Sequence, residues 1–262
     1  MRRSKWYPAY WLAGLVFVGV AACQTVPITG RSQLLLLSEA DEVRMGLQSY
    51  EEVLSKAKLS TDTALNEKVG RVGTRIAEAT GRKDLQWEFK VIEGQQVNAF
   101  ALPGGKVAVY TGILPITRDD AGLAAVLGHE VAHAIARHGA ERLSQDMLVQ
   151  VGLAATMTAL SNRDPKTVQS VGALLGAGAS VGLLLPWGRS QESEADHLGL
   201  IYMAKAGYDP HAARDVWVRM AEASKGSGKP PEFLSTHPSE ATRIKQIERW
   251  LPEAMQYYRP NR

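Results

Sequence analysis

The residues Leu127-Gly128-His129-Glu130-Val131-Ala132-His133 carry two histidines four apart, with a glutamate directly after the first. On a helix, residues four apart lie about 40° from each other around the axis, so both imidazoles can grip one cation. Glu130 sits about 100° round from His129, near enough to serve a water molecule at that cation without binding it. This division of labour suits zinc-assisted hydrolysis: nitrogen or oxygen ligands leave one position open, and a neighbouring carboxylate takes the water's proton. Short patterns arise by chance, and their surroundings decide between readings. Here Ala121–Val126 and Val131–Ile135 are apolar on nearly every face of the helix, which marks it as buried. Three polar side chains in its middle are costly unless something satisfies them, so a solvated polar patch fits badly.

A third ligand is required. His138 follows His133 by five residues and, on a continuous helix, points about 140° away, so it reads as a polar exit from the helix. The longer metzincin pattern fails because the position six beyond His133 is Gly139. A carboxylate on another helix remains, and Glu192-Ser193-Glu194-Ala195-Asp196 offers candidates. Glu192 and Asp196 share a face, while Glu194 faces nearly opposite. Glu192 is expected to bind the metal, and Asp196 to accept a hydrogen bond from the far nitrogen of a ligand histidine, fixing its tautomer. Glu194 is then expected at the surface. Acids also favour the first turn of any helix, which alone would make this segment an ordinary solvated start. Beside the histidine motif, the ligand reading is preferred.

With these residues in place the chain resembles a known family. His129-Glu130-x-x-His133, followed by Arg189-x-x-Glu192-x-x-Ala195-Asp196, resembles the gluzincin family of CAAX prenyl proteases, HtpX and the mitochondrial Oma-type proteases. The likeness is nearest to its bacterial lipoprotein or periplasmic branch, of the BepA and LoiP kind. Thr29-Gly30-Arg31, Asn98-Ala99-Phe100-Ala101-Leu102-Pro103-Gly104-Gly105 and Thr236-His237-Pro238 also resemble family motifs. Gly188 departs from the pattern, which usually has a serine before the arginine, and the helical repeats of longer members are not expected. The resemblance implies a zincin-like domain with one Zn2+ per chain, Glu130 as catalytic base, and Asp196 and Arg189 supporting the ligands. It also places His237 near the metal, either steadying an oxyanion or acting as a removable fourth ligand. On sequence alone a histidine before proline in a loop is more often structural.

The start of the chain is a different material. Arg2, Arg3 and Lys5 precede an uncharged stretch from Trp6 to Ala22, the layout of an export signal over residues 1–22. Its apolar core is shorter than the roughly 20 residues that a retained span prefers. Val20-Ala21-Ala22-Cys23 resembles the lipobox of bacterial lipoproteins, which implies lipidation of Cys23 and a membrane anchor. Gln24 in the next position favours, by the same resemblance, the outer over the inner membrane. The expected address is therefore the periplasmic face of a bacterial envelope. Cys23 is the single cysteine, so no disulfide forms within the chain.

The positioning elements follow from periodicity. Residues 23–37 read as a tether or surface arm and 38–262 as one metallopeptidase domain. Helices are predicted from the Ser38 N-cap to about Leu54, over Thr61–Ala79, from Asp119 to about Leu160 with a break near Gly139, and over Ser190–Ala206, His211–Ser224 and Pro238–Leu251. Gln86–Ile92 reads as a strand, and Val97–Leu102 and Lys106–Tyr110 as two more around a Pro-Gly-Gly turn. The fold class is α+β, mainly α, with a small sheet beside the active-site helix. Asn98, Ala99, Phe100 and Ala101 are candidates for a strand edge that aligns a peptide substrate through its backbone, the alternative being an interior strand. Thr167–Gly188 runs without a charge and reads first as a packed core helix, second as a membrane-touching segment. Lys225–Pro231 reads as a loop.

The balance of charge, 30 Lys and Arg against 27 Asp and Glu, leaves +3 with no basic run after the first residues, so nucleic acid is a poor partner. The leading function is a zinc endopeptidase acting on unfolded or misassembled envelope proteins. The alternative is a chaperone-like zinc-binding factor latched by His237. A purely structural zinc is disfavoured because closed sites often use cysteines, and Cys23 lies far from the motif. Oligomeric state is not legible.

Overall fold

The computed structural model describes residues 23–179, 185–226, 232–237 and 241–260. The signal expected over 1–22 lies outside the described residues. Helix α1 (Glu39–Lys56) starts on Ser38, whose hydroxyl accepts from the Asp41 amide at 3.1 Å. Helix α2 (Thr63–Ala79) starts on Asp62, which accepts from the Leu65 amide at 3.0 Å. Both caps satisfy amides that a helix start leaves without partners.

A three-stranded sheet follows, made of β3 (Glu88–Ile92), β4 (Ala99–Leu102) and β5 (Lys106–Tyr110). Its order is β3-β5-β4, with β3 parallel and β4 antiparallel to β5. The β4–β5 turn uses Gly104 (φ 89°) and Gly105 (φ 85°), conformations that side-chain-bearing residues resist. Among the described residues β4 is an edge strand, which decides against the interior reading of this segment.

A 3-10 turn (Thr111–Ile113) and the short α3 (Leu114–Thr117) lead into α4 (Asp120–Ile135), capped by Asp119 through the Gly122 amide at 2.8 Å. Leu123, Leu127 and Val131 on α4 are fully buried. The helix is packed by α2, β4, α7 (Leu185–Lys205) and α8 (His211–Gly226). Its all-round apolar character thus reflects its place at the centre of the core. Where α4 crosses α7 the backbones touch. A Cβ added at Gly128 would lie 2.9 Å from the Gly199 carbonyl oxygen, and one added at Gly199 would lie 2.9 Å from the His129 nitrogen. Two glycines therefore set the spacing of the two helices that carry the candidate ligands.

After α4 the chain breaks at Arg137, which adopts φ 57° and ψ 33°, and α5 (His138–Ala159) departs in a new direction. The break falls two residues before the expected Gly139. Arg137 is held by Glu42, by the Leu37 carbonyl at 3.2 Å and by Gln24 at 2.6 Å. Helix α6 (Pro165–Ala179) packs on α5, and Leu174 on it is 74% exposed. This corrects the expectation of a packed core helix over Thr167–Gly188, of which 180–184 lie outside the described residues. No described helix is long and apolar enough to cross a membrane.

The short α9 (Glu232–Thr236) and α10 (Ala241–Tyr257) complete the domain. Of the expected Lys225–Pro231 loop, 227–231 lie outside the described residues, and α8 reaches Gly226. The last helix runs through Pro252 to Tyr257, past its expected end at Leu251; residues 238–240 of its expected start also lie outside the described residues. The stretch 23–37 is more than a tether. Strands β1 (Cys23–Thr25) and β2 (Ser32–Leu34) pair antiparallel, and Val26, Gln33 and Leu35 are buried against the domain. The architecture is mainly helical with small sheets, as the periodicity predicts.

Candidate metal centre

Helix α4 places His129 and His133 on one face, with their Nε2 atoms 3.2 Å apart. Helix α7 brings the Glu192 carboxylate to them: Oε2 lies 3.4 Å from His129 Nε2, and Oε1 lies 3.4 Å from His133 Nε2. From the end of α9, His237 adds its Nδ1, 3.2 Å from His129 Nε2 and 2.9 Å from Glu192 Oε2. These four residues form a group whose donor atoms all lie within 4.8 Å of one another. Four donors about 2.0–2.2 Å from a tetrahedral zinc ion are about 3.3–3.6 Å apart, so this set fits the metal. The facing imidazole nitrogens of His129 and His133, 3.2 Å apart, can share either a proton or one cation.

The electrostatics agree. Burial opposes the charge on Glu192, yet the His133 field and hydrogen bonds from His129, His133 and His237 hold its carboxyl far below the usual range. Burial drives the His133 imidazole below its ordinary value, against the pull of Glu192. His129 behaves differently. Burial and Arg243 oppose its protonation, but the hydrogen bonds it donates to Asp196 and Glu192 raise it to about 9.

Asp196 lies one turn beyond Glu192, with Oδ1 3.0 Å from His129 Nδ1. An acceptor there keeps the proton on Nδ1 and turns Nε2 to the metal. Asp196 is itself gripped by Arg243 of α10, from Nε at 2.5 Å and from a terminal nitrogen at 2.8 Å. The Arg243 guanidinium is buried and stacks 3.5 Å over the Trp217 ring. Arg189, expected to support the ligands, lies exposed near the start of α7. Arg243, which the sequence reading missed, supplies a buried guanidinium behind His129 and Asp196. Its only signal in the sequence is its position six residues after His237.

Two further expectations are overturned. His138, read as a polar exit, is buried, and its Nδ1 lies 2.8 Å from His133 Nδ1. Glu194, read as a surface residue, is also buried, 3.0 Å from His138 Nε2. It accepts from Thr29 and Arg31 of the N-terminal arm. The αL turn at Arg137 swings His138 back onto His133, which an angle counted along an unbroken helix does not anticipate.

Glu130 points to the same space without joining the donor set. Burial raises its carboxyl above the ordinary value, against the fields of His237 and His129 and a hydrogen bond from the Ala101 amide. Its Oε1 is buried and lacks a hydrogen-bond partner among the described residues. A buried acceptor in that condition awaits a proton donor. Beside it runs β4. The Asn98 side chain accepts from the Ala99 amide at 3.0 Å, the Val97 carbonyl accepts from the Phe233 amide at 2.9 Å, and Phe100 packs with Tyr110 behind the strand.

Metal ligands on two crossing helices, a buried carboxylate beside them and an edge strand define a zinc metallopeptidase. The chain belongs to peptidase family M48, whose model matches residues 63–251. Among its relatives, the mitochondrial metalloendopeptidase OMA1 of Schizosaccharomyces pombe is 41% identical over 97% of this chain and 74% of its own length. The OMA1 protein of Homo sapiens is 32% identical over 97% of this chain and 52% of its own. The beta-barrel assembly-enhancing protease of Escherichia coli is 27% identical over 85% and 46%. The matches establish the family without separating out its bacterial lipoprotein branch. They overturn the expected bacterial-envelope address, because the relatives that match nearly the whole chain are mitochondrial enzymes.

Proposed function

We propose that this metallopeptidase cleaves unfolded polypeptide presented as an extended strand along β4, within a protein quality-control role. The observation that carries the substrate class is the edge position of β4 beside Glu130, with the Ala101 amide touching the catalytic carboxyl. Backbone pairing with an edge strand is largely blind to side-chain sequence, and an unfolded chain offers it along its whole length. The names of the relatives, a metalloendopeptidase and an assembly-enhancing protease, support the role.

His129, His133 and Glu192 would hold the metal. When bound, zinc polarises the scissile carbonyl and makes water more acidic. Glu130 accepts the proton of the attacking water at its unpartnered Oε1 and delivers it to the leaving amine. A carboxyl raised by burial is suited to both halves of that shuttle. Asp196, held by Arg243, keeps His129 in the tautomer that binds. His237 lies within the donor set and fills the place that water needs, which favours a resting state closed by its ring. That observation also supports the second reading, a latched zinc-binding factor with little proteolysis.

Incubation with one protein in two states tests the substrate class. Reduced, unfolded substrate is expected to be cut at many sites, while its native form survives. Equal cleavage of the native form would contradict a strand-capturing enzyme.

A further inference from the structure

The N-terminal arm lies outside residues 63–251 of the family match, yet its Arg31 reaches two carboxylates beside the metal centre. Arg31 donates from Nε to Glu194 at 2.8 Å, and from its terminal nitrogens to Glu141 at 2.6 and 2.8 Å. From Glu194 the chain of contacts runs to His138 at 3.0 Å and from His138 to the ligand His133 at 2.8 Å. From Glu141 it runs to Gln191 at 2.7 Å, from Gln191 to Arg142 at 2.6 Å, and from Arg142 to the ligand Glu192 at 3.2 Å. One guanidinium therefore stands at the head of two lines that end on two different ligands.

We propose that Arg31, assisted by Thr29, is a positioning residue that orients His133 and Glu192 for zinc, so that the arm completes the metal centre. The tautomers along the first line are forced from both ends. For His133 to offer Nε2 to a metal, its proton must sit on Nδ1 and be donated to His138 Nδ1. His138 must then carry its own proton on Nε2 and donate it to the Glu194 carboxyl oxygen 3.0 Å away. Arg31 and Thr29 both donate to that carboxylate, which fixes its orientation as well as its partner. In the second line Arg142 donates to Gln191 and to Glu192, and Gln191 donates to Glu141, so the Arg31–Glu141 fork fixes the far end. A planar fork spanning two carboxylates is a task that lysine performs poorly.

The inference rests on the reading of His133 and Glu192 as zinc ligands. Its test measures zinc affinity by chelator competition on the full chain, alongside thermal unfolding of the metal-free form. Wild type is compared with Arg31→Gln, Arg31→Lys and Ser144→Ala. The Ser144 hydroxyl pins the arm through the Leu36 amide at 2.9 Å but belongs to neither line. Loss of a partner that orients a ligand commonly weakens metal binding by about 10–100-fold, and Arg31→Gln is expected near the lower end. Arg31→Lys should recover part of the loss, and Ser144→Ala should bind zinc like wild type even where it unfolds earlier. If Arg31→Gln does not fold, Thr29→Val takes its place, removing one hydrogen bond from Glu194 and keeping the arm's charge. Zinc affinity unchanged in Arg31→Gln, or weakened as much by Ser144→Ala, would overturn the proposal. A wild-type protein that binds no zinc would instead refute the site itself.

Discussion

The Nε2 of His237 lies 3.3 Å from Oε1 of Glu130, the carboxylate oxygen that finds no hydrogen-bond partner among the described residues. The opposite nitrogen of the same ring sits in the metal-donor set. One imidazole thus stands between the base and the metal, where substrate and water must come. Replacing it should free that position. His237→Ala is expected to retain zinc on three ligands and to cleave unfolded casein at least a few-fold faster, because the competent fraction rises. A fall in rate with zinc retained would assign His237 to transition-state stabilisation instead.

Glu130→Gln keeps the volume of the side chain and removes its basicity. Proteolysis is expected to drop by about 10²–10⁴, the usual contribution of a general acid–base group. Zinc content should remain that of wild type, because Glu130 stands outside the donor set. Substantial residual cleavage would show that another group takes the proton.

The backbone contact between α4 and α7 sets the gap that Glu192 must cross. Gly199→Ala inserts a methyl group 2.9 Å from the His129 nitrogen and must push the helices apart. Overpacking of this kind costs about 1–3 kcal/mol. Chemical denaturation should show that loss, and zinc affinity should fall with it. A variant as stable as wild type would mean that the crossing is looser than the geometry says.

Glu194 ties stability to acid. Burial works against its charge, but hydrogen bonds from His138, Arg31 and Thr29 lower it from 4.5 to about 2. A carboxyl depressed on folding stabilises fully above its unfolded value, near 4.5, and loses that contribution as pH falls towards 2. The stability difference between wild type and Glu194→Gln in urea is therefore expected to be larger at pH 6 than at pH 3. A difference that stays constant across this range would remove Glu194 from the acid response.

Much of the centre was legible because its logic is local. His129, Glu130 and His133 lie on one helix, and Glu192 and Asp196 lie on another, so spacing alone gives their faces. Strong caps at Ser38 and Asp119, and the glycine turn after β4, mark element boundaries in the same way. What stayed hidden depends on tertiary contacts or on a single backbone choice. His138 reads as pointing away only while the helix is taken as continuous, and the αL turn at Arg137 invalidates that count. Glu194 looks solvated until the arm covers its face, and Arg243 meets Asp196 from a helix 47 residues further along the chain. Uncharged composition over Thr167–Gly188 suggests burial, yet α6 packs on α5 and leaves Leu174 exposed, since apolarity alone does not say what covers a helix.

Elemental analysis of zinc per chain, on purified wild type, His133→Ala and Glu192→Gln with folding checked by circular dichroism, probes the ligand assignment most directly. One equivalent in wild type, and a large loss in both folded variants, is the expected result. A folded wild type without zinc, or a Glu192→Gln protein that keeps its full equivalent, would contradict a metal held between α4 and α7.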